Sequence, residues 1–426
     1  MATRDIHTAL VIADFRWLWV GSLASSFAMN MQQVARGWFV YEMTASAVDL
    51  AWVTMSFMIP QVIFSLWGGV VADRMPKRFI LCVAQILNCV ATLIMSAIIL
   101  WGQADFWDFI WFGTFNGIVL ALSFPARHAF VPDLVPERLV FTAMALNTTS
   151  MNFARILAPA LAGFLIAWIA DGDTNSTLAV GIVYLVIALL YLTSSLTILL
   201  IDSRGVVSEP DKKNSVIGDM LAGVHYLVKH PPVFGLLILS VIPFLFGMPL
   251  NTLLPAFNED VLLGGPDDLG VLLSAMGGGA ILGSLMLAAR GDLRRKGMWL
   301  IGTLFAWGFA TSAFGLSSDL TVAVVVLAFI GWLSSWNMSL NRGMLQLEVE
   351  QKMRGRIMSL DMMSHGLMPL GVLPVAWVAD NYGINTSLFV SGIVFIFLVS
   401  LSLLMRAIRY VWSGSRAQRR AERFGV

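Results

Sequence analysis

The chain has 426 residues, of which 58% are apolar and only 12% charged, with a mean hydropathy of +0.79 and a net charge of +1. A soluble domain runs about 45–50% apolar and about 25% charged, so this composition excludes a soluble enzyme, a disordered chain and a nucleic-acid binder. About 247 apolar residues, at about 20 per bilayer crossing, fit about twelve transmembrane helices with little left over, and the unbroken runs exclude the alternating strands of a β-barrel.

In chain order, the first apolar run follows Arg16 and lacks a short h-region with a small-residue cleavage site, so it is expected to stay in the membrane as a helix over 18–43. Further helices are predicted over 48–71, 79–101, 106–124, 140–169 and 178–201. The fourth can continue to Val131 through Pro125 and Arg127. Cys82 and Cys89 share one face of the third helix, lack metal-ligand spacing and read as small packing residues. A charged segment, 202–232, straddles the midpoint and contains an amphipathic stretch over 216–228 suited to the membrane surface. The second half repeats the pattern over 233–257, 269–289, 298–316, 320–340, 357–378 and 387–407. The fold class is therefore all-α integral membrane, with an N-terminal six-helix bundle (1–201), a linker (202–232), a C-terminal six-helix bundle (233–410) and a basic tail (411–426).

Charge placement sharpens this topology. Of the 27 Lys and Arg residues, 25 fall at the N-terminus, in alternate loops, in the central segment or in the tail. The other loops carry acids instead, among them Asp49, Asp105, Asp108, Asp171, Asp173, Glu259, Asp260, Asp319 and Asp380. The positive-inside rule then makes both termini and the central loop cytoplasmic, with an even number of spans. Only Arg36 and Arg155 remain, and both fall inside predicted helices. Ala167-Trp168-Ile169-Ala170-Asp171 returns 209 residues later as Ala376-Trp377-Val378-Ala379-Asp380, a period that agrees with two six-helix repeats. Parallel repeats of this kind carry their substrate site near the bilayer midplane.

The loop after the second helix reads Gly69-Val70-Val71-Ala72-Asp73-Arg74-Met75-Pro76-Lys77-Arg78. As a positive-inside loop it needs no further role. The pattern Gly69, Asp73, Arg74, Lys77, Arg78 also resembles the signature loop of the major facilitator superfamily, with Pro76 where that loop usually has Gly. The resemblance implies a gating role, in which the Asp meets the N-terminus of helix 11, whose dipole favours a negative charge. A degenerate second copy surrounds Gly291-Asp292-Leu293-Arg294-Arg295-Lys296. Other segments resemble the branch of drug and siderophore exporters that contains the enterobactin exporter. They are Pro125-Ala126-Arg127, Pro132-Asp133-Leu134-Val135, Asn152, Arg155, Pro159 and Gly163, then Arg354-Gly355-Arg356 through Leu360 and Met368-Pro369-Leu370-Gly371. The chain departs from many members of that branch at Ala28-Met29, where they have Gly-Asp, at Ala158 before the helix 5 Pro, and around Asp361 and His365. What the resemblance implies is a twelve-helix transporter that moves a small molecule across a bacterial plasma (inner) membrane.

Charged groups inside a bilayer are costly and are functional candidates by default. Asn30, Gln33 and Arg36 recur at i, i+3 spacing and give helix 1 a polar stripe. Arg36 either faces a cavity or snorkels to Glu42 or Asp49. Arg155 lies too deep to snorkel and, with Asn152 one turn before it, is a candidate for substrate binding or gating against a structural pairing. Asp361 and His365 are i, i+4 neighbours on helix 11 and form a candidate proton-handling pair; the alternative is an ion pair of Asp361 with Arg354 or Arg356. Asn116, with Gln61, Asn147, Asn251, Asn337 and Asn341, either lines a cavity or bonds a neighbouring helix.

These features point to a secondary active transporter, expected to be monomeric, exporting a small amphipathic molecule in exchange for protons by alternating access. Import or uniport on the same fold, and a membrane receptor or enzyme, are the alternatives. The five His are scattered, and no HExxH motif, Ser/His/Asp set, phosphate-binding loop or cofactor motif is present, so neither catalysis, a cofactor nor a metal is expected.

Overall fold

Apolar runs of bilayer length leave backbone groups without water partners, and a helix satisfies them within its own segment. The computed structural model describes residues 2–170, 177–205, 225–227, 229–290, 293, 295–350, 353, 357, 358, 360, 361 and 365–412, and no strand occurs among them. The chain divides into two compact units, Met1–Lys212 with Leu263–Ser274, and Lys213–Leu262 with Ala275–Val426.

Unit 1 contains α1 (Ala2–Val11), α2 (Ala13–Thr44), α3 (Ala47–Arg74), α4 (Lys77–Leu100), α5 (Phe106–Leu134), α6 (Glu137–Ala170) and α7 (Thr177–Leu199). Ser46 caps α3 by accepting from the Asp49 amide at 3.1 Å, and Asp105 and Asp108 form a reciprocal capping box that starts α5. The main packings are α3 on α5, α4 on α7, and α2 on both α6 and α7. At Gly117 of α5 the backbone comes so near to Phe57 of α3 that a β-carbon would strike its carbonyl oxygen. Cys82 and Cys89 are buried free thiols on α4, as packing residues should be.

Unit 2 contains α8 (Pro231–Phe246), α9 (Pro249–Asp260), the later part of α10 (Pro266–Arg290), α11 (Lys296–Gly315), α12 (Leu320–Glu348), α13 (Met368–Tyr382), α14 (Ile384–Ser402) and α15 (Arg406–Trp412). Here α11 packs on α12 and α14, and α8 touches α12, α13, α14 and α15. Gly331 of α12 lies against the backbone of Met276 of α10, in the same manner as Gly117 in unit 1. Trp168 and Trp377, the repeated tryptophans, are both exposed near the ends of α6 and α13. Exposed apolar side chains of this kind belong to lipid-facing surface and interfacial belts.

Among the described residues, ten helical stretches are long and apolar enough to cross a membrane. Two of the twelve predicted spans are not among them. Asn30, Gln32, Gln33 and Arg36 lower the hydropathy of α2, and α13 has only 15 residues. Several predicted ends shift. The fourth helix runs to Leu134 with Pro125 and Pro132 inside it, so Arg127 is helical and not in a loop. The tenth runs to Glu348, which brings Arg342 into α12. The predicted helix over 233–257 is two helices separated by Gly247 and Met248, with Pro249 suited to the first turn of α9. Within the predicted helix 357–378, His365–Leu367 is a 3₁₀ turn, next to Pro369, which lacks the amide that would continue an α-helical ladder. Of the predicted surface stretch 216–228 only 225–227 are described, and these are helical. Asp171, Asp173, Gly291, Asp292, Arg294, Arg354, Gly355, Arg356 and the tail from 413 lie outside the described residues.

Candidate functional site

Polar residues gather at one centre in each unit. In unit 1, α2 supplies Ser25, Gln32 and Arg36, α5 supplies Arg127, and α7 supplies Tyr184 and Tyr191. Arg127 Nη1 donates to Ser25 Oγ at 2.8 Å, and the Tyr191 hydroxyl donates to Gln32 Oε1 at 3.4 Å. The Arg36 guanidinium lies over the Phe57 ring, 5.8 Å from its centroid, and within electrostatic reach of Tyr184 and Tyr191. Arg36 forms no ion pair among the described residues. A cation–π contact is worth about 0.5–2 kcal/mol, whereas withdrawing a charge from water costs several kcal/mol. The contacts of unit 1 therefore leave the Arg36 charge largely uncompensated. The Tyr184 hydroxyl oxygen is buried and has no hydrogen-bond partner among the described residues.

In unit 2, Asp361 is 1% exposed and accepts a hydrogen bond from Ser240 Oγ at 2.7 Å. Arg342 Nε stands 3.6 Å from its other carboxylate oxygen, with the arginine side chain 44% exposed. These groups line a small cavity of about 10 Å³, room for about one water, together with Met248, Trp307, Asn337 and Asn341. Trp307 Nε1 and Asn341 Oδ1 are buried there without hydrogen-bond partners among the described residues. A carboxylate, a guanidinium, an indole and an amide thus border one small space, a combination suited to handling a proton.

A third cluster joins helix ends of unit 1. Lys77 Nζ lies 2.6 Å from Asp133 Oδ2, Arg78 Nη2 donates to the Leu199 carbonyl at 2.7 Å, and both Asp14 oxygens accept from the amides of Asp202 and Ser203. Arg74 is exposed at the end of α3, Gly69 is half-buried, and the Asp73 side chain lies outside the described residues.

The other predicted residues are scattered among these centres. Asn30 donates to the Ser26 carbonyl of its own helix, Gln33 is exposed, and the adjacent Gln32 is the one that meets Tyr191. Asn116 is buried and donates to the Phe112 carbonyl one turn back. Arg155 is exposed on α6, Asn152 is half-buried, and the His365 side chain lies outside the described residues. Asn337 bonds Leu300 and Thr303 of α11, a helix-to-helix contact. Sequence spacing did not single out Ser240, Arg342, Tyr184 or Trp307. For Ser240 and Tyr184 the available signal was a polar atom within an otherwise apolar run.

Comparison with known proteins gives this arrangement its setting. A family model described as transmembrane secretion effector matches residues 7–420. Macrolide efflux protein A of Streptococcus pyogenes is 24% identical over 403 residues, covering 93% of this chain and 96% of that protein. The staphyloferrin A transporter of Staphylococcus aureus is 27% identical over 369 residues, covering 85% of this chain and 88% of that protein. Among solved structures, an inward-facing, unoccupied bacterial homolog of the human lysosomal transporter Spinster is similar with a TM-score of 0.73 at 13% identity. That likeness covers 93% of this chain and 96% of the other, and concerns the fold. Since the family match runs through nearly all of the helical part, the chain belongs to the transmembrane secretion effector family of the major facilitator superfamily and is a multi-pass membrane transporter.

Proposed function

We propose that this transporter exports a small amphipathic molecule in exchange for protons. It works as a monomer by alternating access, in a bacterial inner membrane with both termini cytoplasmic. The observation that carries the coupling is Asp361, a carboxylate 1% exposed on a small cavity, with Ser240 and Arg342 in contact. Taking up a proton there cancels the carboxylate charge and loosens its hold on Arg342, so protonation and side-chain arrangement are linked. The export direction is supported by a relative named for macrolide efflux. Residues 1–201 and 233–410 serve as the two six-helix bundles, joined by 202–232, and the signature loop Gly69, Asp73, Arg74, Lys77 and Arg78 serves gating. Arg36, Arg155 and the polar groups Asn30, Gln33, Asn116 and Asn152 serve substrate handling in the N-terminal half, and His365 assists Asp361.

The test is transport in vesicles under imposed proton gradients with a panel of amphipathic compounds. Wild type should accumulate a substrate only when protons can move against it, and Asp361→Asn should lose the pH dependence while Asp361→Glu keeps part of it. Transport insensitive to an uncoupler, or a wild-type pH profile in Asp361→Asn, overturns the coupling.

A further inference from the structure

We propose that the transported molecule is an anionic amphiphile whose carboxylate is held by Arg36 with help from the Tyr184 hydroxyl. This rests on the transporter reading above and adds the substrate's charge class. Arg36 sits well inside the 32-residue α2, partly open and with no ion pair among the described residues. The nearest acid along the same helix, Glu42, is six residues on, about 9 Å along the axis and on a different face. α7 contains no acid at all, and those of α3 and α5 stand at or near the helix ends. Arg127 adds a second guanidinium within electrostatic reach of Tyr191, and its hydrogen-bonded partner is the neutral Ser25.

The centre of unit 1 thus holds two guanidiniums and hydroxyl donors, and neither guanidinium forms an ion pair among the described residues. Water alone leaves such a centre poorly compensated in a low-dielectric surrounding. A carboxylate matches it in three ways. Its charge offsets the guanidinium, its two oxygens suit the planar donor fork of Arg, and a remaining lone pair takes the Tyr184 O–H, which has no acceptor among the described residues. Phe57, already against Arg36, offers apolar surface for the rest of the molecule. A cationic amphiphile would meet like charge here and be rejected.

The test uses the full-length protein in nanodiscs of neutral phosphatidylcholine, with decanoate, decanamide and decylamine as probes and equilibrium binding as the readout. Decanoate should bind at least tenfold more tightly than either of the others. Arg36→Gln should abolish that preference, Arg36→Lys should retain part of it, and Tyr184→Phe should weaken decanoate several-fold. An equal response to decanamide, or unchanged decanoate binding in a folded Arg36→Gln protein, overturns the proposal. Displacement of decanoate by phosphatidylglycerol included in the nanodisc also overturns it, since the anion held would then be a lipid headgroup. Binding preference without transport in vesicles leaves the charge assignment standing and removes the export reading. Proton-linked transport of neutral or cationic compounds alone does the reverse.

Discussion

Lys77 is 6% exposed, and its ammonium stands 2.6 Å from Asp133. A buried ion pair adds little net stability, but removing one partner strands the other charge and costs about 3–5 kcal/mol when burial is complete. Asp133 keeps 17% side-chain exposure, so Lys77→Met should cost less, about 2–3 kcal/mol. The double variant Lys77→Met with Asp133→Leu should recover much of that loss. Thermal unfolding of the purified protein in detergent checks both, and additive losses would show that the pair does not act as a unit. The same scale shows how much of the site the sequence could reveal. Charges inside apolar runs stand out, so Arg36 and Asp361 could be picked out as candidates; Arg155 stood out in the same way, yet it is exposed on α6 away from these clusters. Their partners were not, because contact across helices depends on rotation about each helix axis. Gln32 and Gln33 are neighbours in sequence, yet only Gln32 meets Tyr191, and Asp361 pairs with Arg342 from another helix, 19 positions away in sequence.

At the scale of helices, apolar period and length made the elements legible, whereas their ends were harder to read. Helices continue beyond the apolar run wherever polar side chains find partners, as Arg127 does on Ser25 and Arg342 does beside Asp361. Reading a charge as a loop therefore shortened α5 and α12. The break between α8 and α9 was hidden for the opposite reason, since Gly247 and Met248 look as apolar as a helix interior. Close crossings depend on single glycines, and this separates two substitutions of identical chemistry. Gly117→Ala drives a methyl into the Phe57 carbonyl and should lower the melting temperature clearly, with a loss of about 1–3 kcal/mol. Gly302→Ala on α11 meets nothing within 4 Å and should be neutral or stabilising by up to about 1 kcal/mol. Equal effects of the two would mean that the α3–α5 crossing is looser than its geometry.

For the whole molecule, orientation follows from charge and not from packing. The loop at Trp101–Asp105 contains acid and no base, while the segment after α7 begins with Asp202, Ser203 and Arg204 and continues to Lys212 and Lys213. Translocating several cations is far less favourable than retaining them, so the first loop should be outside and the second inside. Both native cysteines are buried, which makes a Cys82→Ala, Cys89→Ala background suitable for placing single thiols. Gln103 and Arg204 are exposed, so Gln103→Cys and Arg204→Cys can each be offered to a membrane-impermeant maleimide. On intact cells Gln103→Cys should label and Arg204→Cys should not, and both should label once the membrane is opened. The reverse pattern would invert the topology, place Lys77 and Asp133 on the outer face, and take the signature loop away from the cytoplasmic side where its gating role requires it. Labelling of both on intact cells would mean that an even number of crossings, not three, separates the two loops, and would reopen the assignment of α5, α6 and α7 as crossings.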